Sequence, residues 1–280
     1  MMESAAYTID ELIAVCIARQ VNDGDMLAQG MATPLVAAGY ILAQRTHAPN
    51  AYFASAVGQG VVQGWAALGI ATAEDLWVGK AMTNTSFVSL VADMLPIIPV
   101  KEFFRPGQID PAGNFNNIAI GTDLVHPRLR LPGVAGIPDV SVHSDQMCLY
   151  VPRHSRAIFV PKVDWLSGLG HHPARQHGSG PHYLISDLGE FDWANGRMRL
   201  TAYHCGATIE RIQAKTGFEL EIAPDVHETP PPTAEEVRLL REEIDPLGVR
   251  RLETLAGSAR RDHLRHILIQ EGVLDPGEMM

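Results

Sequence analysis

Three observations predict an α/β fold. Short apolar runs bounded by turn residues alternate with helix-period segments, a strand–helix–strand order opens the chain, and an Asn-Gly pair centres an alternating stretch further on. Thr8-Ile9-Asp10-Glu11 is a capping box, with a hydroxyl at the cap and a carboxylate three residues later. The helix that follows carries Leu12, Ile13, Cys16, Ile17 and Val21 on one face and stops at Gly24. Met26 to Gln29 is a short strand closed by Gly30. Pro34 to Arg45, apolar and alanine-rich, is a buried helix. Ala51 to Val57 is a second strand that runs into Gly58 and Gly60. This order predicts a right-handed parallel crossover.

Beyond residue 100 the pattern changes. Arg156 to Val160 and His182 to Ser186 read as buried strands. Gly189 to Ala202 alternates about Asn195-Gly196 and predicts a hairpin, with Phe191 and Trp193 packed against Met198 and Leu200. Pro230-Pro231-Pro232 is a stiff linker, and Thr233-Ala234-Glu235-Glu236 caps a helix that ends before Pro246. A last amphipathic segment, Arg260 to Glu271, sets Leu264, Ile267 and Leu268 against basic residues. The reading is one α/β domain over residues 1–247 and a helical C-terminal extension over residues 248–280.

Composition narrows the function. Of 280 residues, 46% are apolar and 19% charged, as in a globular protein rather than a fibre or a disordered chain. A net charge of −10, without a Lys/Arg cluster before the C-terminal helix, argues against nucleic acid and against anionic membranes. The most apolar stretch, Phe87 to Val100, is interrupted by Asp93, Pro96 and Pro99 and is too short to cross a bilayer. Cys16, Cys148 and Cys205 are odd in number and far apart, which speaks against a disulfide framework and for a cytoplasmic protein. The N-terminus has no basic region of the secretory kind.

The richest segment is Gln108-Ile109-Asp110-Pro111-Ala112-Gly113-Asn114-Phe115-Asn116-Asn117, a polar turn feeding the short apolar strand Ile118 to Gly121. Gln108, Asp110, Gly113, Asn114 and Asn116 are candidate substrate-binding residues, since amides and a carboxylate here can face a ligand or satisfy the local backbone. A second glycine loop, Gly133-Val134-Ala135-Gly136, follows closely, and two such loops together suggest a surface that holds a small molecule. Arg153 could pair with a substrate carboxylate or a phosphate, or with solvent as a strand edge would. His171, His172, His177 and His182 lack the fixed spacing of a metal site and fit better as contacts at a site mouth. Cys148 and Cys205 read as small buried hydrophobes, and Ser55 lacks a nucleophile elbow.

With these elements placed, the chain resembles the β-subunit of class I CoA-transferases, the glutaconate CoA-transferase type. Gln108-Ile109-Asp110-x-x-Gly113-Asn114-x-Asn116, Thr216-Gly217-Phe218-Glu219-Leu220 and Leu239-Leu240-Arg241-Glu242-Glu243-Ile244-Asp245-Pro246 carry the resemblance. Tyr150 to His154 and Val163 to Gly170 are more similar to the β-like subunits of ring-opening acyl-CoA hydrolases of steroid breakdown. The resemblance covers about Thr8 to Pro246. It implies an open three-layer α/β/α sheet, a homologous α-subunit as partner, and an acyl-CoA substrate. Coenzyme A would enter as part of that substrate, with no permanently bound cofactor and no metal.

In the transferases a glutamate in a Glu-Ser-Gly turn after the second strand attacks the thioester. Carrying that strand across puts Ala56 at the position, and no Glu or Asp occurs between Asp25 and Glu74. A methyl group cannot form an acyl anhydride. The resemblance therefore implies chemistry other than ping-pong transfer, either carbon–carbon bond hydrolysis or decarboxylation. Gly133 and Gly136 would stabilise the thioester oxygen. True CoA transfer with a carboxylate from elsewhere, and a non-catalytic acyl-CoA-binding or scaffold subunit, are the alternatives.

Overall fold

The computed structural model describes residues 6–30, 33–55, 58–94, 96–144, 146–173 and 175–275. It forms two compact units, Met1–Leu90 with Pro231–Met280, and Val91–Pro230. Each unit is built from strands and helices, as the α/β reading expects. Among the described residues no helix is long and apolar enough to cross a membrane.

The first unit opens with helix α1, Ile9–Arg19, and the capping box forms as expected: the Glu11 carboxylate accepts the Thr8 N–H at 2.8 Å. Strand β1 is Met26–Gln29, helix α2 is Pro34–Thr46 and β2 is Tyr52–Ser55. β1 and β2 pair in parallel with Leu27 opposite Phe53, which establishes the parallel crossover. Two further strands, β3 (Gly60–Val62) and β4 (Ala81–Asn84), continue antiparallel beyond β2. α1 and α2 pack closely because position 39 is glycine: a Cβ there would stand 2.6 Å from Ile17 Cγ2 and 2.8 Å from the Ala14 carbonyl.

The C-terminal segment is wired into this unit by buried charge. Thr233 caps Ala234–Arg238 through the expected box, and the chain continues helically to Ile244, stopping before Pro246. Buried Arg250 then contacts Asp245 at 2.8 Å, Glu11 at 3.1 Å and Asp10 at 2.9 Å, and Glu253 accepts the Leu35 N–H at 2.9 Å. The last helix, Gly257–Gln270, begins earlier than Arg260 and buries Ile267, with Leu264 and Leu268 half-buried.

The second unit carries β5 (Val100–Phe104), the short pair β6 (Gln108–Ile109) and β7 (Phe115–Asn116), and the short pair β8 (Ala119–Ile120) and β9 (Leu129–Arg130). It continues with β10 (Gln146–Val151), β11 (Tyr183–Ser186), β12 (Gly189–Ala194), β13 (Arg197–Tyr203) and β14 (Glu221–Glu228). β5, β10 and β11 are mutually parallel, β11 to β13 antiparallel, and β14 parallel to β13. The hairpin is as expected: Trp193 faces Met198, Phe191 faces Leu200, and Asn195 and Gly196 both take positive φ, 51° and 74°.

One expectation fails. Arg156 to Val160 is not a strand. It is a turn with a single bridge, Phe159 to Ile109, made by Ile109 N–H to Ile158 O at 2.7 Å and Val160 N–H to Ile109 O at 2.9 Å. Pro152 and Pro161 flank the run and remove ladder donors. Of its apolar side chains Phe159 is the one fully buried, its ring stacked 3.7 Å from the His154 imidazole.

Candidate functional site

In α/β sheets, ligands gather outside the carboxyl ends of parallel strands. In the first unit those ends are Gln29 and Ser55. Ser55 is 2% exposed, and its Oγ accepts the Gly58 N–H at 2.9 Å, so the hydroxyl caps the turn into β3. Ala56 lies outside the described residues, as does Val57. The sequence leaves β2 and the turn beyond it without any carboxylate, since none occurs between Asp25 and Glu74.

In the second unit the Gln108–Asn116 motif folds as a tight hairpin, Gln108 opposite Asn116 and Ile109 opposite Phe115. Asp110 organises the turn: its Oδ1 accepts the N–H groups of Ala112 and Asn114, each at 3.0 Å, and Asn114 Nδ2 donates to Oδ2 at 3.0 Å. Burial raises the Asp110 pKa, and these donors oppose the rise. Gly113 takes φ +77° in the turn, and a Cβ there would reach 2.5 Å from Pro181 and 3.0 Å from the Trp193 ring.

The remaining amides also bond inward. Asn114 Oδ1 accepts the Gly170 N–H at 3.0 Å. Asn116 Nδ2 donates to Gln108 Oε1 and to the Ala119 carbonyl, both at 2.7 Å, while its Oδ1 accepts the Ile118 N–H at 2.8 Å. Gln108 Nε2 donates to Asp164 at 3.2 Å, and the same Asp164 oxygen takes the Gly121 N–H at 2.8 Å. Trp165 Nε1 closes the web on the Gly121 carbonyl at 2.7 Å. Gln108, Asp110, Asn114 and Asn116 are all buried. Together they fix where residues 105–121 and 164–170 lie against each other.

The glycine loop follows β9. Gly133 takes φ +103° and donates its N–H to the Asn117 carbonyl at 2.9 Å. Ala135 is held at φ +42°, a conformation that costs a non-glycine residue of order 1 kcal/mol or more. Gly136 caps the helix Ile137–His143, and its carbonyl accepts the Val140 N–H at 3.0 Å.

Arg153 stands elsewhere, on the rim of a cavity of about 570 Å³ at the carboxyl ends of β5, β10 and β11. Arg105, His154, Asp187 and Lys215 line the same cavity. His154 is its rigid wall. Nδ1 lies 3.1 Å from Ser186 Oγ, Nε2 lies 2.9 Å from Thr216 Oγ1, and the backbone N–H donates to Asp187 at 2.5 Å. Burial, then the charge of Lys215, push its pKa down to about 3, so the ring is neutral.

Three of the four histidines meet different partners. His171 Nε2 is 2.8 Å from the Pro181 carbonyl, His177 stacks on His143, and His182 Nε2 is 3.5 Å from Cys148 Sγ. Cys16 and Cys148 are buried, whereas Cys205, expected to be buried, is exposed.

Sequence reasoning passed over Glu102. It is buried in β5, and burial lifts its carboxyl pKa to about 8. Its signal was a lone acid in the run Val100-Lys101-Glu102-Phe103-Phe104.

Relatives give this geometry a family. The chain is 27% identical to the β-subunit of glutaconate CoA-transferase from Acidaminococcus fermentans, over 88% of this chain and 96% of that one. It is 26% identical to the IpdB component of the cholesterol ring-cleaving hydrolase of Mycobacterium tuberculosis, over 86% and 96%. Its fold matches the crystal structure of the decarboxylase AibA/AibB with TM-score 0.78 and 30% identity, over 90% of this chain and 100% of that one. No family model matches the chain. These likenesses agree: the chain belongs to the class I CoA-transferase family, as a β-like subunit.

Proposed function

We propose that this chain is the β-like half of a heteromer with a homologous α-subunit, and that the pair acts on an acyl-CoA thioester by breaking a carbon–carbon bond. Hydrolytic ring opening is favoured over decarboxylation, because Tyr150 to His154 and Val163 to Gly170 are more similar to the ring-opening branch. Coenzyme A stays on the acyl chain throughout.

One observation carries the reading: no carboxylate is available between Asp25 and Glu74, where a transferase needs one. Ping-pong transfer requires an acyl anhydride on a side-chain carboxylate. Ser55 does not replace it, since its hydroxyl caps the turn at Gly58. Bond cleavage beside a thioester instead needs the carbonyl oxygen stabilised as negative charge grows on it. We assign that task to the loop at 133–136. With the Gly133 N–H engaged by Asn117, the donor falls to Gly136. Gln108, Asp110, Gly113, Asn114 and Asn116 hold the adjoining hairpin in shape, and the acid or base comes from the α-subunit.

The test is exchange. The assembled pair, given acyl-CoA and isotopically labelled acetate, should form no labelled acetyl-CoA while the acyl group is cleaved. Labelled acetyl-CoA formed at a rate comparable to acyl-CoA consumption would make the protein a true transferase.

A further inference from the structure

We infer that the cavity at the carboxyl ends of β5, β10 and β11 is a site for a phosphate ester, held by Arg105, Arg153 and Lys215. The three cations come from three separate segments, and all line the same volume of about 570 Å³. Arg105 follows β5 directly, Arg153 follows the end of β10, and Lys215 closes the helix Ile209–Lys215. In a chain of net charge −10, three cations around one concavity are a local reversal of the overall field.

Their backbones are prearranged. Pro106 restricts Arg105 to extended conformations, and Pro152 fixes the turn that presents Arg153. Behind them, His154 is locked by Ser186, Thr216 and the Phe159 ring. A neutral imidazole with both nitrogens occupied adds no charge, so an anion in the cavity would be held by the rim.

Among the described residues Asp187 is the single carboxylate lining the cavity. One of its oxygens is taken by the His154 N–H, and the cations outnumber it. Three cations from three separate segments around one cavity suit a tetrahedral dianion with several oxygens better than a planar carboxylate, which one guanidinium fork satisfies. The identification of the ester rests on the function proposed above: in an acyl-CoA it is the 3′-phosphate of the nucleotide.

Adenosine 3′,5′-bisphosphate, titrated calorimetrically into the full chain, separates this site from the chemistry, because it carries no thioester and needs no partner. It should bind at least about ten-fold more tightly than adenosine 5′-monophosphate, and less tightly as salt rises. Arg153→Gln and Lys215→Gln should each weaken it by about ten-fold. Both side chains are exposed, so both variants should melt where the parent does. Equal binding of the two nucleotides, or unchanged affinity in both variants, overturns the site. If the assembled pair cleaves acyl-CoA and the chain ignores the bisphosphate, the site fails and the proposed function stands. If the bisphosphate binds as expected and no acyl-CoA is consumed, the function fails and the phosphate site stands.

Discussion

Two polar regions of the second unit use their chemistry in opposite ways. The hairpin at Gln108–Asn116 is dense in amides, and Gln108, Asn114 and Asn116 all bond inward, to Asp110, Asp164, Gly170 or Ala119. At the cavity rim, by contrast, Arg153 and Lys215 are exposed cations on segments that the fold holds fixed. The difference teaches that a conspicuous motif and a contact surface need not coincide. Asn and Gly cluster where the backbone must be shaped, and cations stand where something is to be met. Substitutions in the hairpin should therefore cost stability, and substitutions on the rim should cost affinity.

The largest effect is expected at Gly170. A Cβ there would lie 2.3 Å from the Ala112 carbonyl and 2.4 Å from Asn114 N, both backbone atoms that cannot swing aside. Gly170→Ala should lose about 3 kcal/mol, read from the urea midpoint. Asn116→Leu comes next, at roughly 2–3 kcal/mol, since it strands the Ala119 carbonyl and the Ile118 N–H and leaves Gln108 Oε1 with the Asp164 N–H alone. A loss under about 0.5 kcal/mol in that variant would mean the hairpin is not the frame described.

Glu102 sharpens the contrast through pH. Its carboxyl titrates at about 8 in the folded chain against 4.5 in the unfolded one, so the folded state keeps a proton that the unfolded state has lost. Its stability contribution is full below pH 4.5 and falls as pH rises toward 8, by on the order of a few kcal/mol. Glu102→Gln should remove this slope, leaving the variant more stable than the parent at pH 8 and little changed at pH 4. Parallel stability curves for the two proteins would contradict the burial argument. The smallest effect on stability is expected for Arg153→Gln: an unchanged melting temperature, with the whole loss appearing in anion affinity.

Much of the fold was legible because its signals are local. The Thr8–Glu11 and Thr233–Glu236 boxes, the Pro34 helix start and the Asn195-Gly196 turn depend on neighbours within a few residues, and each formed as read. Arg156 to Val160 misled because an apolar run says only that it will be buried. Here Phe159 alone is fully buried, by stacking on His154, and the rest of the run is half-buried or exposed. β14 went unread because its burial scarcely alternates, with Ala223 alone fully buried.

The hairpin motif was legible as a place where polar groups face either a ligand or the local backbone, and its distant partners were not. Asp164 and Gly170 meet it from 56 residues away, and spacing along a chain carries no trace of such a meeting. The cavity was hidden for the same reason. Arg105, Arg153 and Lys215 become neighbours when β5 and β10 pair in parallel and the helix Ile209–Lys215 returns to their ends. Arg153 alone had been visible, as a fork able to pair with a carboxylate or a phosphate.

The central claim is that this chain supplies no attacking carboxylate, and covalent trapping tests it most directly. The assembled pair should be allowed to turn over its acyl-CoA, reduced with borohydride, and this chain mapped by mass spectrometry. Every Asp and Glu should retain its unmodified mass, although the acyl chain has been cut. A glutamate or aspartate of this chain recovered as the reduced alcohol would show that it had carried the CoA thioester, and would contradict the account.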